Sequence, residues 1–155
     1  MRTYGMPRTN LLIATIAAVA LSGPMMCASA AGDFATAQEA KALLTRAVAA
    51  VKANKTQALG MFNSGADGFK DRDLYVFCIG PDWISTAGPI KGRSAKDLKD
   101  KNGKMLGQEF MRMGKEGQIG EIEYVWPRPG TTEAIEKVSY ITKVDDQVCG
   151  VGYYK

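Results

Sequence analysis

The stretch EKVSYITKVDDQVCGVGYY, residues 136–154, decides the fold class. Two runs rich in β-branched and aromatic residues flank the polar link DDQ at 145–147, and this pattern predicts a β-hairpin. Successive side chains of a strand point to opposite faces of the sheet. Lys137 and Tyr140 should therefore lie on opposite faces.

Three further strands are predicted earlier in the chain. Residues 74–79 (LYVFCI) form a continuous apolar run that ends at a Gly-Pro-Asp turn, which is typical of a buried strand. Residues 83–87 are a short candidate partner. Residues 120–126 alternate so that an aromatic stripe lies on one face. In the last strand, Gly150 and Gly152 leave one face nearly bare, which favours packing of a helix there over approach of a ligand.

The mature chain is predicted to begin with helix. Residues 34 to about 62 carry apolar side chains at helical spacing with charged residues between them. Asp33 or Thr36 could cap the start of this helix. The pattern breaks near Asn54, and Thr56 is the expected cap of a second, short helix.

Another amphipathic helix is predicted at 105–115, within the charged and irregular stretch 92–117. The order of elements is then a helix, two strands, a helical crossover and three antiparallel strands. This order is typical of an α+β domain in which helices pack on a five-stranded antiparallel sheet.

The first thirty residues predict a cleavable signal peptide. Two arginines precede an apolar run at 11–22, and Ala28-Ser29-Ala30 fits the small-x-small cleavage pattern. The run is too short to span a bilayer, which needs about 20 apolar residues. An uncleaved anchor and a lipoprotein acylated at Cys27 are the alternatives. We therefore predict a signal peptide at 1–30 and one periplasmic or secreted domain at 31–155, with no membrane span in the mature chain.

Composition excludes several classes of function. The chain has 20 Lys and Arg against 16 Asp and Glu, and the two signs are interspersed, which is typical of a solvated surface and not of a nucleic-acid site. It has no histidine, which excludes a His-containing zinc site, a Ser-His-Asp triad and a Cys-His dyad. No phosphate-loop motif is present. We therefore predict that the protein is not an enzyme, and that it has no catalytic residues, no metal-binding residues and no cofactor.

Five segments share a pattern with a known family. They are DLYVF at 73–77, DKNGK at 100–104, YVWPRP at 124–129, KVSYI at 137–141 and CGVGYY at 149–154. Together they resemble the single Cache domain of bacterial extracytoplasmic sensors, from about residue 36 onward. The resemblance implies a PAS-like fold, in which a long N-terminal helix lies along an antiparallel sheet. It also implies a pocket for a small molecule, often a short carboxylate, between the sheet and the crossover.

Two cysteines, Cys78 and Cys149, follow the predicted signal peptide, and an even number in an oxidising compartment raises the chance of a disulfide. The PAS-like sheet implied by the resemblance places its first and last strands side by side. Adjacent strands supply the Cα separation that a disulfide needs. We therefore predict a bond between the two; a pair of buried free thiols is the alternative.

The chain departs from the Cache pattern in two respects. Related domains often carry His-Pro after the second strand, where this chain has Ala87-Gly88-Pro89, so the histidine has no counterpart. Cache domains usually also lie between two membrane helices, whereas no second apolar segment follows here. We therefore expect the signal to pass to a separate protein, such as a membrane sensor or a transporter.

Lys137 stands where the family has a lysine, and an inward cation could pair with a ligand carboxylate. Aromatic residues are the predicted wall, since small-ligand sites combine apolar walls with a few polar groups. The pocket is expected on the helix-free side of the sheet, facing residues 84–106. A solvent-facing lysine and ordinary core packing of the aromatic rings are the alternatives. The predicted site comprises Lys137, Trp126, Tyr124, Tyr140, Trp83 and Tyr75.

These observations favour a periplasmic small-molecule-binding sensor module of Cache type. Its predicted ligand is a short organic acid or a similar metabolite, and its occupancy would be passed to a partner protein. A structural or interaction domain that has lost its ligand is the second interpretation, and an enzyme is the third.

Overall fold

Two consecutive helices cover one face of the sheet. The computed structural model describes residues 32–155, so the predicted signal peptide lies outside the described residues. Helix α1 (Ala37–Ala53) begins after Thr36, whose hydroxyl accepts the Glu39 N–H while the Glu39 carboxylate accepts the Thr36 N–H. This reciprocal pair satisfies amides that the first helical turn leaves free. Of the two candidates, Thr36 and not Asp33 is the cap.

The break predicted near Asn54 is present and separates α1 from α2 (Lys55–Ser64). The Asn54 backbone is extended, which allows its side-chain oxygen to accept the Gln57 N–H at 3.0 Å. The prediction of Thr56 as the second cap was wrong, because Asn54 ends one helix and caps the next with no turn between them.

Within residues 32–155, six strands form one antiparallel sheet. They run in the order β1, β2, β6, β5, β4, and β3 also pairs with β2. The five predicted strands are present. The additional strand, β1, has two exposed residues and therefore no apolar signal in the sequence. The bounds are β1 Lys70–Asp71, β2 Leu74–Ile79, β3 Ser85–Ala87, β4 Gly120–Pro127, β5 Ala134–Val144 and β6 Gln147–Tyr154.

The two faces of the sheet are covered differently. Helices α1 and α2 pack on one, which we call the α1 face. Helix α3 (Leu106–Met113) and the residues between β3 and α3 cover the other, which we call the α3 face. The expectation of a helix-free side was wrong, because the Phe110 ring of α3 packs on Phe77 and Tyr124, with ring centroids 5.1 and 5.7 Å apart. Within residues 32–155 no helix is both long and apolar enough to cross a membrane.

The bare face of β6 lies on the α3 face and is filled by side chains of neighbouring strands. A Cβ atom added at Gly150 would lie 2.6 Å from Ile141 Cδ1, and one at Gly152 would lie 2.6 Å from Lys137 Cε. Such distances are too short for real contacts, so the glycines make room for these side chains. The interpretation that a helix packs against them was wrong.

The predicted disulfide is present on the α1 face. Cys78 of β2 and Cys149 of β6 are register partners with Cα atoms 4.1 Å apart, and their sulfurs are bonded. The bond joins positions 71 residues apart. Closing a loop of that size restricts the unfolded chain by an amount worth about 4 kcal/mol in the chain-entropy account. It also ties together the two strands at the centre of the sheet.

Candidate functional site

Lys137 is a fully buried cation on the α3 face, with a relative exposure of 0%. It lies on β5 between its register partners, Tyr124 of β4 and Tyr154 of β6. Its aliphatic stem passes over Gly152, where any larger residue would displace it. The side-chain parity expected from the sequence is present, because Tyr140 belongs to the core of the opposite face.

The Lys137 ammonium is held by aromatic groups. Its Nζ atom donates to the Tyr75 hydroxyl at 2.7 Å and to the Tyr154 hydroxyl at 3.3 Å. It also lies over the faces of both rings, 4.0 and 4.5 Å from their centroids, which is cation–π distance. Among the described residues Lys137 forms no salt bridge. A charged ammonium has three donors, and two of them have acceptors here.

Burial lowers the pKa of Lys137 from its ordinary value to about 7, because the charged form loses its hydration. The Asp73 carboxylate opposes this shift at longer range. Asp73 is itself engaged elsewhere: its Oδ1 atom accepts the Ala35 N–H at 2.9 Å, and its Oδ2 atom lies 3.5 Å from Arg128 Nε. This acid is therefore shared with other groups and compensates the lysine only in part.

The surrounding phenols remain neutral at physiological pH. Burial raises the pKa of Tyr75 and of Tyr124 well above the ordinary tyrosine value, and it raises that of Tyr154 to about 12. The Tyr154 hydroxyl donates to the Pro127 carbonyl at 2.6 Å, and the Tyr124 hydroxyl bonds Ser139 Oγ at 2.8 Å. None of these neutral groups can supply a negative charge to balance the Lys137 ammonium.

A small apolar cavity lies next to this cluster, between the sheet and the covering segment. Its volume is about 30 Å³, which is room for about one water molecule. Lys137 does not line it; the Tyr75 side chain, which does, lies beside the ammonium. The lining side chains are mostly apolar or aromatic and include Phe77, Ile79, Pro89, Leu106, Phe110, Tyr124 and Trp126.

Four of the six predicted site residues lie together. Tyr75, Tyr124 and Trp126 line the cavity, and Lys137 contacts Tyr75. Tyr140 and Trp83 lie elsewhere.

Tyr140 lies on the α1 face, where it stacks on Tyr153 with centroids 6.2 Å apart and lies under the Lys41 ammonium. Trp83 occupies a turn with φ +67°, and its backbone bonds Gly80 and Ala95. Neither side chain lines the cavity.

Sequence reasoning missed two groups that surround Lys137. Tyr154 belongs to the quoted CGVGYY segment and has the parity of Gly150 and Gly152, which is a signal that could have placed it on this face. Asp73 precedes β2 and gave no periodic signal, because it reaches the site from a turn.

The family model described as Single Cache domain 2 matches residues 21–154. The chain belongs to the Single Cache domain 2 family. Cache domains are extracytoplasmic ligand-binding sensors, so this chain is a Cache-type sensor domain. The resemblance inferred from the five segments is confirmed. No match to a curated protein was found.

Several solved structures share the Cache fold of this chain. A methyl-accepting chemotaxis protein from Vibrio parahaemolyticus RIMD 2210633 matches with a TM-score of 0.62 and 24% identity, over 76% of this chain and 86% of that one. A periplasmic sensor domain of a chemotaxis protein matches with a TM-score of 0.57 and 25% identity, over 76% and 88% of the two chains. A Cache chemosensory domain described for carboxylic acid recognition matches with a TM-score of 0.55 and 22% identity, over 76% and 86%.

The Ala87-Gly88-Pro89 segment adjoins the cavity through Pro89. Gly88 has φ +101°, and a Cβ atom at this position would lie 2.7 Å from Phe77 Cβ. A glycine is therefore needed here both for its backbone conformation and for the close approach to β2. The segment contributes the apolar Pro89 ring to the wall.

Proposed function

We propose that this Cache domain binds a short organic acid and uses Lys137 as the counter-charge. The observation that supports the proposal best is the environment of the ammonium. It is completely buried, it is held by two neutral phenols, and it forms no salt bridge among the described residues.

A ligand carboxylate would relieve an unfavourable arrangement. Burying a charged group is costly unless it is paired and hydrogen-bonded. A carboxylate at Nζ would supply both the opposite charge and a charge-assisted hydrogen bond, which is stronger than a bond to a neutral phenol. The apolar wall formed by Phe77, Phe110, Tyr124 and Trp126 suits the hydrocarbon part of a small acid.

Binding requires the site to open. The cavity of about 30 Å³ has room for about one water molecule and not for an organic acid. The Tyr75 hydroxyl already accepts from Nζ at 2.7 Å, and Tyr75, not Lys137, lines the cavity. We infer that the ligand displaces this hydroxyl, and that the segment containing Pro89 moves away from the sheet.

One of the similar solved structures lends support to the ligand class, since it is described for carboxylic acid recognition by a Cache chemosensory domain. We further propose that residues 1–30 are a signal peptide, that the domain acts in the periplasm, and that ligand occupancy is passed to a partner such as a membrane sensor or transporter. The disulfide supports an oxidising compartment.

A thermal-shift screen with short carboxylates tests the binding proposal. A ligand that binds only the folded state stabilises it by about 2.7 kcal/mol at 100 times its dissociation constant. We expect at least one carboxylate to raise the melting temperature, and the matching neutral amide, such as acetamide for acetate, to leave it unchanged. Lys137→Met should lose this response. Exposed Lys96→Met, the matched control, should keep it.

The small size of the cavity favours one alternative, a Cache domain that has lost its ligand and serves as a structural or interaction module. If this alternative holds, no carboxylate or amino acid will shift the melting temperature of the wild-type protein. An equal rise in melting temperature in wild type and Lys137→Met would instead show that a ligand binds but that Lys137 is not its counter-charge.

A further inference from the structure

A second and larger space lies beside the cavity and opens at the surface. It is a groove of about 480 Å³, within the range of small-molecule sites. The groove adjoins the cavity at three side chains that line both, Tyr75, Pro89 and Trp126. Its remaining lining comes from β1, from the turn after it and the start of β2, from Gly88 after β3, and from the end of β4 with the loop that follows it.

The charged residues that line the groove are all cations: Lys70, Arg72 and Arg128. None of the acidic residues in the described part of the chain lines it. The three cations differ in how far their charges are compensated. Arg72 is fully paired, since its guanidinium bonds the carboxylates of Glu39 and Asp71 at 2.6 and 2.8 Å.

The other two cations are compensated less completely than Arg72. Lys70 Nζ donates to the Asn63 carbonyl at 2.6 Å and forms no salt bridge among the described residues. Arg128 Nε has no hydrogen-bond partner among the residues described, and its ionic contact with Asp73, at 3.5 Å, is too long for a hydrogen bond.

The guanidinium of Arg128 is held in place from outside the groove. Its central carbon stacks 3.9 Å from the centroid of the Phe34 ring. The loop that carries it is closed by a backbone hydrogen bond from Thr131 N–H to the Arg128 carbonyl at 3.0 Å. Arg128 is therefore a preorganised planar cation, the kind of group that suits a carboxylate.

Aromatic and proline rings make up much of the remaining lining of the groove. The Trp126 indole and the Tyr75 ring are accompanied by three proline rings, at Pro89, Pro127 and Pro129. Rigid rings give large apolar contact at little entropic cost, while the cations at the rim select the sign of the ligand charge.

We propose that this groove is a second binding site of the domain, distinct from Lys137, for an aromatic carboxylate. The carboxylate lies between Lys70 and Arg128, and the aromatic ring lies against Trp126 and the prolines. Neither of its two cations contacts that lysine, although the groove shares the side chains of Tyr75, Pro89 and Trp126 with the interior cavity.

Benzoate is a suitable probe, and benzamide is its neutral isostere. The chain has two tryptophans, so in a Trp83→Phe background Trp126 alone reports on the groove. We expect benzoate to quench this fluorescence with saturation and benzamide to quench it far less. Calorimetric titration of the same protein gives the dissociation constant.

Variants then identify the cations. In this background, Lys70→Gln should weaken benzoate binding about threefold to fivefold, as expected for a partly exposed ion pair. Arg128→Gln should weaken it at least about tenfold. Because Arg128 also faces buried Asp73, the Lys70 variant gives the answer if the Arg128 variant does not fold. The matched control, exposed Lys96→Gln, should bind as the background protein does.

Three outcomes would overturn the proposal. The first is the absence of saturable benzoate binding. The second is equal affinity in the background protein, Lys70→Gln and Lys96→Gln. The third is binding that Lys137→Met abolishes and Lys70→Gln leaves intact, which would assign benzoate to the interior site and support the first proposal instead.

Discussion

The Lys137 Nζ atom lies 2.7 Å from the Tyr75 hydroxyl, although their strands, β5 and β2, are not neighbours. Strand β6 lies between them, and it carries Gly152 at the place where the lysine stem crosses it. The contact thus joins two strands through the space left by the absent side chain of a third. It sets the environment of the buried ammonium.

The first prediction concerns the dependence of stability on pH. The pKa of Lys137 is about 7 in the folded protein and about 10.4 in an unfolded chain, so between these values the unfolded state binds more protons. The free energy of unfolding should therefore rise with pH across this window, by about 2 kcal/mol between pH 7 and pH 9. Chemical denaturation at several pH values measures the rise. It should be absent in Lys137→Met, and an identical profile in both proteins would contradict the lowered pKa.

The second prediction couples ligand binding to protons. If a carboxylate binds at Lys137, it favours the charged lysine and raises its pKa. Affinity should then fall by up to tenfold per pH unit above the free-protein pKa of about 7. Calorimetry in two buffers of different ionisation enthalpy counts the protons taken up. Uptake near zero at pH 8 would show that the ligand does not meet Lys137.

The third prediction separates the two phenols. Tyr75→Phe removes the hydroxyl closer to Nζ. It also leaves space where the ligand carboxylate would bind. We expect it to lower stability by about 1 kcal/mol and to strengthen carboxylate binding. Tyr154→Phe loses a weaker bond to Lys137 but also the bond to the Pro127 carbonyl, and it should lower stability without strengthening binding. Equal affinities in the two variants would argue against displacement of the Tyr75 hydroxyl.

The fourth prediction concerns the disulfide. Replacing both Cys78 and Cys149 by alanine should lower the free energy of unfolding by about 4 kcal/mol, because the unfolded chain regains its freedom. Mass spectrometry after alkylation without reductant should find neither cysteine modified in wild-type protein. Two alkylated cysteines would show that the bond does not form.

The fifth prediction concerns export. Protein recovered from the periplasm should have an intact mass that corresponds to a chain starting at or near Ala31. Recovery of the full-length chain in the membrane fraction would support an uncleaved anchor instead. A mass increase at Cys27 would support the lipoprotein alternative.

Much of the fold was predictable because its signals are local. The break at Asn54, the apolar run of β2 and the DDQ link of the last hairpin each depend on a few adjacent residues. The parity of β5 placed Lys137 and Tyr140 on opposite faces for the same reason.

The rest depends on long-range packing. Gly152 makes room for a lysine and not for a helix because of the order of the strands in the sheet. This order cannot be predicted from any short segment of the sequence. Asp73 and Arg128 meet across 55 positions only because the β1–β2 turn and the β4–β5 loop lie at the same end of the sheet. The small volume of the cavity is likewise a property of packing.

Asp73 links the α3 face of the sheet to the start of α1. Its carboxylate holds the Ala35 amide with one oxygen and contributes to the field at Lys137. A change in the charge at Lys137 alters the free energy of that carboxylate, and by linkage a displacement of residue 35 alters the proton affinity of the lysine. The position of the residue that leads into the first helix and the protonation of the buried amine are therefore thermodynamically coupled. A change in either one shifts the equilibrium of the other.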